Sequence, residues 1–204
     1  MTTAETAREH NERAPTLDDL FRRAAVRNPD APALIDPANR TSFTDGEPLV
    51  LTFAQADRIV WAIAARLRAL DLQSGDVVAI QLPNTAESVL TLLGILRAGM
   101  VAALVPLLWR EREIVAALSP AKAKAIITTA RIGEADHCGI AMRAAAQLFS
   151  IRHVCAFGSG LPDGIAPLDD LLTTRGFDVV ATAKHDDNPA ANTALITFGV
   201  TSKT

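Results

Sequence analysis

The chain has 204 residues, 49% hydrophobic and 21% charged, so it can bury a sizeable core and does not have the composition of a disordered protein. Its formal net charge is −3 and its Lys and Arg residues are scattered, which argues against nucleic acid as the main partner. Aromatic residues make up 4%, with no Tyr, whereas Ala is abundant. This composition favours helices packed on a sheet over an all-β sandwich.

The first 15 residues are polar and are expected to form a flexible segment, without the apolar stretch of a secretory signal. The two cysteines, Cys138 and Cys155, do not form the spacing framework of a small secreted domain. We therefore predict a cytoplasmic protein.

A helix is predicted to begin after Thr16, because Thr16 and Asp19 have the spacing of a capping box. The Asn-Pro pair at 28–29 ends this helix. Residues 32–36 are predicted to form a short strand, and the polar, turn-rich residues 38–48 a loop or hairpin tip. The inward face of the helix is predicted to consist of Leu17, Leu20, Phe21, Ala24 and Ala25.

Further along the chain, strands and helices are predicted to alternate. Residues 54–70 place apolar side chains on one helical face, and the apolar run 77–82 is typical of a strand covered on both faces. The next helix is predicted to be capped by Asn84 or Thr85 and closed by Gly99. The remaining predicted elements are strands at 100–107, 124–129, 152–157 and 195–198, and helices at 109–120, 135–149 and 168–173. The alternation predicts an α/β fold: a mostly parallel sheet with right-handed crossovers, flanked by helices.

Residues 89–109 are long and apolar enough to be mistaken for a membrane span. Arg97 lies near their middle, however, where an arginine costs about 2.5–3.5 kcal/mol on insertion scales. Gly99 and Pro106 also interrupt the run. A buried helix, a turn and a buried strand explain the same residues, so we predict no membrane span.

Two kinds of site are not supported by the spacing of their residues. His137, Cys138, His153 and Cys155 are metal-ligand types, but they match none of the usual ligand spacings, and we interpret them as core and surface residues. No G-x-S-x-G motif is present. The acidic pairs are attributed to favourable positions at helix starts or in loops, and no catalytic residue or metal site is predicted. These pairs are Asp18-Asp19, Asp169-Asp170 and Asp186-Asp187.

The C-terminal segment, ITFGVTSKT, resembles the start of a phosphate-binding loop after a strand. A Walker loop needs the pattern G-x-x-x-x-G-K-[ST]. Residues 199–204 keep a Lys-Thr pair but lack the second glycine and one residue of spacing. A P-loop NTPase is therefore not favoured. A dinucleotide-binding domain is not favoured either, because residues 82–87 (LPNTAE) are not a glycine-rich turn.

In order along the chain, four segments resemble the adenylate-forming superfamily, which includes acyl-CoA synthetases, peptide-synthetase adenylation domains and luciferases. Two departures are Gln55-Ala56 in place of Glu-Leu and two extra residues before Pro106. The resemblance covers residues 16–204. The segments are 51–56 (LTFAQA, like L-[TS]-[YF]-x-E-L), 74–87 (SGDVVAIQLPNTAE, like G-D-x-V-A-x-x-x-x-N), 96–107 (LRAGMVAALVPL, like L-[KR]-A-G-x-x-x-x-P) and 122–129 (KAKAIITT, like A-K-x-[LI]-[LI]-T).

The resemblance implies that residues 16–204 are the N-terminal subdomain of a larger AMP-binding domain, ending at its phosphate loop. A complete enzyme of this kind uses ATP with Mg²⁺ to convert a carboxylate to an acyl adenylate, and then passes the acyl group to a thiol, usually that of coenzyme A. The family's residues for adenine, ribose, Mg²⁺ and the acyl group, and its C-terminal catalytic lysine, lie beyond this loop. The chain alone is therefore expected to be inactive.

The family's phosphate loop has the form [YF]-T-S-G-[ST]-T-G-x-P-K and holds the ATP β and γ phosphates. Its counterpart here supplies hydroxyls and a lysine, and the resemblance makes Thr201, Ser202, Lys203 and Thr204 the candidate phosphate-binding residues. Backbone N–H groups in such a turn form an anion-binding nest, to which hydroxyls add donors.

The loop departs from the family pattern. An alignment on Ile196 and Phe198 displaces every special glycine, whereas an alignment on Thr201 and Ser202 puts Lys203 where a glycine stands. At a position that requires a positive φ, a lysine costs about 1–2 kcal/mol. One hypothesis is that the loop has another shape in which Lys203 supplies the charge for phosphate. The other is a surface turn in a non-catalytic relative that keeps the fold for binding or assembly.

Overall fold

A computed structural model describes residues 15–173 and 192–199. The strands are β1 (Pro32–Ile35), β2 (Val50–Thr52), β3 (Val77–Ile80), β4 (Val101–Leu104), β5 (Ala125–Thr129), β6 (Arg131–Ile132), β7 (Ala135–Asp136), β8 (His153–Phe157), β9 (Ile165–Pro167) and β10 (Leu195–Thr197). The helices are α1 (Leu17–Arg27), α2 (Phe53–Ala69), α3 (Ala86–Arg97), α4 (Glu111–Ala121), α5 (His137–Gln147) and α6 (Asp169–Leu172), with a 3-10 turn at Arg40–Ser42.

Six of these strands form one sheet in the order β10-β4-β3-β5-β8-β9, and each neighbouring pair runs parallel. The predicted α/β fold with a mostly parallel sheet is confirmed. Two short antiparallel pairs, β1–β2 and β6–β7, lie outside this sheet. The sequence analysis did not predict β2, β6 or the edge strand β9, and it placed the residues of β7 at the start of a helix.

Helices cover the sheet on both faces. Val78 and Ile80 of β3 pack with the core formed by α2 and α3, whereas Ala79 between them packs with residues of α4 and α5. Alternate residues of a strand point to opposite faces, so a strand buried on both sides needs a continuous apolar run. This explains the composition of residues 77–80 and confirms their interpretation as a strand covered on both faces.

The predicted start of α1 is confirmed. The backbone N–H of Asp19 donates to the Thr16 hydroxyl at 3.1 Å, and the Thr16 N–H donates to the Asp19 carboxylate at 3.0 Å. Such a capping box satisfies backbone groups at a helix terminus that have no partner within the helix.

The predicted inward face of α1 is partly wrong. Ala25 is buried, but Leu17 and Leu20 are 52% and 50% exposed. Asp18, next to Leu17, is buried instead, and its Oδ1 accepts a hydrogen bond from Arg97 Nη2 at 2.7 Å. The reason is electrostatic, because a buried guanidinium on α3 requires a carboxylate partner. The attribution of Asp18 to its place at a helix start alone was therefore incomplete.

Arg97, the charged residue in the apolar run 89–109, is buried inside the protein by its partners. From the end of α3, its buried guanidinium reaches Asp18 of α1 and Asp57 of α2, and it stacks 5.0 Å from the ring centre of Trp61 on α2. Residues 89–109 divide into α3, a turn at Gly99 with φ +75°, and β4, as predicted. Among residues 15–173 and 192–199, no helix is long and apolar enough to cross a membrane.

Candidate functional site

The carboxyl edge of the parallel sheet is the expected place for a ligand-binding site in this fold. In open α/β sheets, ligands bind outside the carboxyl ends of the strands, where the strand order reverses. Here the order reverses at β3, because β4 lies on one side of it and β5 on the other. The last described strand, β10, runs parallel to β4 and reaches the same edge.

The predicted phosphate-binding residues follow β10 directly in sequence. Thr201, Ser202, Lys203 and Thr204 lie outside the described residues, as do Asp186-Asp187 and most of the predicted flexible segment 1–15. Of the three residues between β10 and Thr201, the structure describes Phe198 and Gly199. We call the ends of β4 and β10, residues 105–110 and 198–199, the loop-bearing half of the edge.

Phe198 is anchored at this half by Trp109. Their ring centres are 5.5 Å apart with an interplanar angle of 46°, and both side chains are half-buried. Gly199 is exposed, and a Cβ added to it would meet no heavy atom within 4 Å. Its φ lies outside the left-handed region, so this position does not require glycine. The chain therefore leaves the sheet in an unobstructed, ordinary conformation.

A buried glutamine holds the turn that carries Trp109. The side-chain N–H groups of Gln81, just after β3, donate to the backbone carbonyls of Pro106 at 3.0 Å and of Trp109 at 3.1 Å. Its Oε1 lies 3.3 Å from Nδ1 of His137. Because carbonyl oxygens only accept, the amide nitrogen must face the turn and Oε1 must face the histidine. His137 therefore donates its Nδ1–H to Gln81.

His137 is 1% exposed at the first turn of α5. Burial lowers its pKa below the usual 6.5, the positive charge of Arg110 lowers it further, and Asp136 opposes the shift. The imidazole is therefore neutral near pH 7. Its neighbour Cys138 is buried and contacts the Thr129 carbonyl.

The other metal-ligand types do not converge with His137. Burial raises the pKa of both Cys138 and Cys155 to about 11, so neither thiol is activated. Within 15–173 and 192–199, no group of three His, Cys, Asp or Glu side chains could hold a metal ion.

The rest of the edge is closed by the chain itself. We call the ends of β5 and β8, with the loop 36–49 that lies over them, the covered half. Arg40 is its centre: Nη1 lies 2.6 Å from Asp36 Oδ2, and Nη2 lies 2.5 Å from Glu87 Oε1. Asp36 Oδ1 also accepts from the N–H of Ala86 at 2.7 Å. This bond caps α3, where Thr85 provides no side-chain hydrogen bond.

The charged groups at the centre of the covered half pair with one another, one guanidinium with two carboxylates. Burial lowers the pKa of Arg40, but hydrogen bonds and charges from Glu87 and Asp36 outweigh it, so the net pKa is raised. The two carboxylates also lie at the N-terminus of α3, where the helix dipole favours negative charge. This cluster is paired internally, and its excess of one carboxylate disfavours an anionic ligand such as phosphate.

Close contacts complete the cover. Thr44 Oγ1 lies 3.3 Å from Thr129 Oγ1, and Arg131 Nε lies 2.8 Å from Asp45 Oδ1. Gly158 has φ +115°, and a Cβ added there would come within 2.8 Å of the Ala130 Cβ. The end of β8 therefore has no room for a side chain at residue 158.

The acidic pair at 169–170 has structural partners. Asp169 and Asp170 occupy the first turn of α6, as predicted. Asp169 Oδ2 accepts from the N–H of Gly158 at 2.9 Å, and Asp170 Oδ2 lies 2.5 Å from Arg66 Nη2. The pair fastens α6 to the end of β8 and to α2.

Sequence analysis missed three residues that organise the edge: Gln81, Trp109 and Arg40. The signal for Gln81 was available, since it is the polar residue in an otherwise apolar run at 77–82. Arg40 lies in a segment whose polarity is typical of a loop, and nothing local marks it as buried.

Comparisons with known proteins agree with this geometry. The sequence matches the AMP-binding enzyme family over residues 21–198, so the matched region ends at Phe198. It is 31% identical over 175 residues to a long-chain-fatty-acid–CoA ligase of Salmonella typhimurium, covering 85% of this chain and 27% of that protein. It is also 31% identical over 143 residues to the 2-hydroxy-7-methoxy-5-methyl-1-naphthoate–CoA ligase of Streptomyces carzinostaticus, covering 70% of this chain and 24% of the relative.

Solved structures show the same fold. MbtA of Mycobacterium smegmatis, in its apo form, is 27% identical and superposes with a TM-score of 0.73 over 91% of this chain and 31% of its own. The acetoacetyl-CoA synthetase of Streptomyces lividans is 25% identical, with a TM-score of 0.68 over 81% of this chain and 26% of its own. The chain thus spans about a quarter of the length of the curated relatives it matches, at 24% and 27%. It belongs to the AMP-binding enzyme family.

Proposed function

We propose that residues 16–204 form the N-terminal subdomain of an ATP-dependent, AMP-forming acyl-CoA synthetase. The whole protein would activate a small-molecule carboxylate as its acyl adenylate, releasing pyrophosphate, and transfer the acyl group to the thiol of coenzyme A. The family match over residues 21–198 and the identity to CoA ligases support this proposal.

The position of β10 supports a phosphate site at the loop-bearing half. β10 brings the chain to the carboxyl edge beside β4, Phe198 packs on Trp109, and the exposed Gly199 precedes Thr201 by two positions in sequence. In the covered half, the cation Arg40 is already paired with the carboxylates of Asp36 and Glu87. A phosphate group would therefore be met at the loop-bearing half.

The donor set of this segment fits the phosphates of ATP. Three hydroxyls and the Lys203 ammonium are all hydrogen-bond donors, and the ammonium adds a positive charge. In the proposed role these groups would stabilise the negative charge that develops on the phosphates during adenylate formation. Mg²⁺ and coenzyme A belong to the same proposal for the whole protein, and their ligands would lie outside this chain.

The isolated chain is proposed to be inactive, because the family's groups for adenine, ribose and acyl binding lie beyond the phosphate loop. We propose a cytoplasmic location. The second candidate function, a non-catalytic relative that binds or assembles through this fold, is favoured by one feature, the displaced glycines around Lys203.

Acid-dependent exchange of ATP and pyrophosphate separates these candidates. The intact protein, encoded by the uninterrupted reading frame, is assayed with aliphatic and aromatic carboxylates, and the 204-residue chain is assayed in parallel. We expect exchange with the intact protein for at least one carboxylate class and none with the isolated chain. Exchange by the isolated chain would overturn the proposed inactivity. Absence of exchange by the intact protein with every carboxylate class would favour the non-catalytic relative.

A further inference from the structure

We propose that the outer side of α3 and the side of β10 that faces the same way form a docking surface for the chain that follows residue 204 in the intact protein. The occupant is a helix that connects β10 to a further strand of the same sheet. The inference rests on the proposed function and deepens it, because that function requires an intact protein longer than this chain. We call this surface the α3–β10 face, and its residues are Val89, Leu92 and Leu96 of α3 with Leu195 and Thr197 of β10.

The outer side of α3 carries no charge. The helix has two charged residues, Glu87 and Arg97, and both are buried in ion pairs. Val89, Leu92 and Leu96 follow one another at helical spacing on the opposite side, where Val89 is 37% exposed and the two leucines are half-buried. A surface helix usually presents charged or polar residues on this side, whereas a helix that is apolar all round is buried. The composition of α3 therefore indicates a further layer of protein over it.

β10 has one covered side and one uncovered side. Leu195 pairs in register with Ala102 of β4, which faces the core formed by α2 and α3. Ile196 pairs with Ala103, which faces the core of α4 and α5. Residues in register point to the same face of a sheet, so Leu195 points to the α3 side and Ile196 to the other. Ile196 packs with its core and is half-buried, whereas Leu195 is 45% exposed.

The direction of the chain through the sheet predicts the side on which a following helix lies. Parallel strands are joined by right-handed crossovers. From β3 to β4 the chain moves towards β10, and the connecting helix α3 lies on one side of the sheet. From β4 to β5 it moves the opposite way, and α4 lies on the other side. A crossover from β10 to a strand outside it repeats the first direction, so its helix lies on the α3 side, over the uncovered Leu195.

The described sheet leaves two places for such a strand. Every position between β10 and β9 is occupied, so a following parallel strand joins the sheet outside β10 or outside β9. A connection to the β9 edge would pass over the whole sheet, whereas consecutive elements usually lie side by side. The relatives have the length for such a unit, since this chain spans 24% and 27% of two CoA ligases that it matches. The position outside β10 is therefore favoured.

Cysteine alkylation of the intact protein tests the surface at sites of matched exposure. Val89→Cys is compared with Met142→Cys on α5, since both parent residues are 37% exposed. Leu195→Cys is compared with Leu20→Cys on α1, since these residues are 45% and 50% exposed. We expect each thiol on the α3–β10 face to react about tenfold or more slowly than its control, because it is reached only by local opening.

The labelled peptide is identified by mass spectrometry, which separates each introduced thiol from the native ones. Cys138 and Cys155 give little background, because both are buried and burial raises their pKa to about 11. In the 204-residue chain, the two members of each pair should react at similar rates. Slow reaction of both face thiols in that chain, together with a dimer by light scattering, would assign the surface to a second copy and overturn the proposal.

A charge placed on the surface gives a second measurement. Val89→Asp would bury a carboxylate without a partner in the intact protein, which is costly. We expect it to lower the melting temperature of the intact protein more than Met142→Asp does, and to lower that of the 204-residue chain no more than Met142→Asp does. Equal shifts in the intact protein would contradict a covered α3.

The outcomes separate the docking surface from the proposed function, because labelling and melting require no catalysis. An intact protein that protects residues 89 and 195 but shows no exchange of ATP and pyrophosphate would refute the proposed activity and keep the docking surface. An active intact protein in which both face thiols react like their controls would overturn the docking surface alone.

Discussion

The two halves of the carboxyl edge use their polar groups differently. In the covered half, Arg40 is buried between the carboxylates of Asp36 and Glu87 and pairs with both of them. Beside the loop-bearing half, the Gln81 amide donates hydrogen bonds to the backbone of a turn, and Trp109 of that turn packs against Phe198. The covered half is closed by loop 36–49, whereas in the loop-bearing half the chain leaves the sheet at the exposed Gly199.

This difference shows how a general fold rule is narrowed by particular residues. A doubly wound sheet is expected to bind ligands along its carboxyl edge. In the covered half, the ion pairs of Arg40 and the close packing around Gly158 leave no room for a ligand at the carboxyl edge. The contrast can be tested by loosening each half separately.

The largest expected effect comes from opening the ion cluster. Arg40→Met leaves two carboxylates buried without their cation, and we expect it to lower the free energy of unfolding by about 3–5 kcal/mol. Denaturant unfolding of the 204-residue chain measures this change. The control is Arg143→Met, because Arg143 forms an exposed pair with Glu111, worth roughly 0–1 kcal/mol. A loss below about 1 kcal/mol for Arg40→Met would mean that the cluster does not hold loop 36–49.

A smaller loss is expected from crowding the covered half. Gly158→Ala combines a positive φ with a Cβ placed 2.8 Å from the Ala130 Cβ and 3.1 Å from Asp45 Oδ2. We expect about 2–3 kcal/mol of destabilisation by denaturant unfolding. Gly160→Ala is the matched control, since Gly160 also has a positive φ, +64°, but open space around it. It should cost about 1 kcal/mol, and equal losses in the two variants would refute the close packing at Gly158.

The smallest effect concerns pH and the buried histidine. Burial and Arg110 hold the pKa of His137 below 6.5, so the unfolded chain binds a proton more readily than the folded one. This contribution to stability is fully present above the unfolded pKa and is lost as the pH falls towards the folded pKa, by at most about 1.4 kcal/mol per pH unit.

The pH dependence is measured by denaturant unfolding between about pH 5 and 7.5, a window that spans the usual pKa of histidine. His137→Asn should show a shallower slope than the parent, because it removes the titrating group and keeps a donor towards Gln81. Identical slopes in the two proteins would contradict a neutral, buried His137.

Much of the fold was predictable because its signals are local. The capping box at Thr16, the closing Gly99 and the apolar run at 77–82 each depend on a few neighbouring residues. The failures depend on partners distant in sequence. Leu17 and Leu20 were assigned inward on helical periodicity, but α1 is turned to bury Asp18 against Arg97, 79 residues away.

The site was predictable only in part, for the same reason. The resemblance makes Thr201, Ser202, Lys203 and Thr204 the candidate loop, which stays a prediction, and the strand before it, β10, pairs parallel with β4. His137 was interpreted as an ordinary core residue, and its link to Gln81 across 56 residues has no local signal. Arg40 and Glu87, 47 residues apart, are likewise paired only by the fold.

The central claim, that the loop-bearing half binds the phosphates of ATP, is tested most directly at Lys203. ATP binding to the intact protein is measured by equilibrium titration for the parent and for Lys203→Ala, Lys203→Gly and Lys203→Arg. Removing a charged hydrogen-bond donor should weaken ATP binding about tenfold or more in Lys203→Ala, and Lys203→Arg should retain most of it. Unchanged affinity and turnover in both Lys203→Ala and Lys203→Gly would show that the segment is only a surface turn.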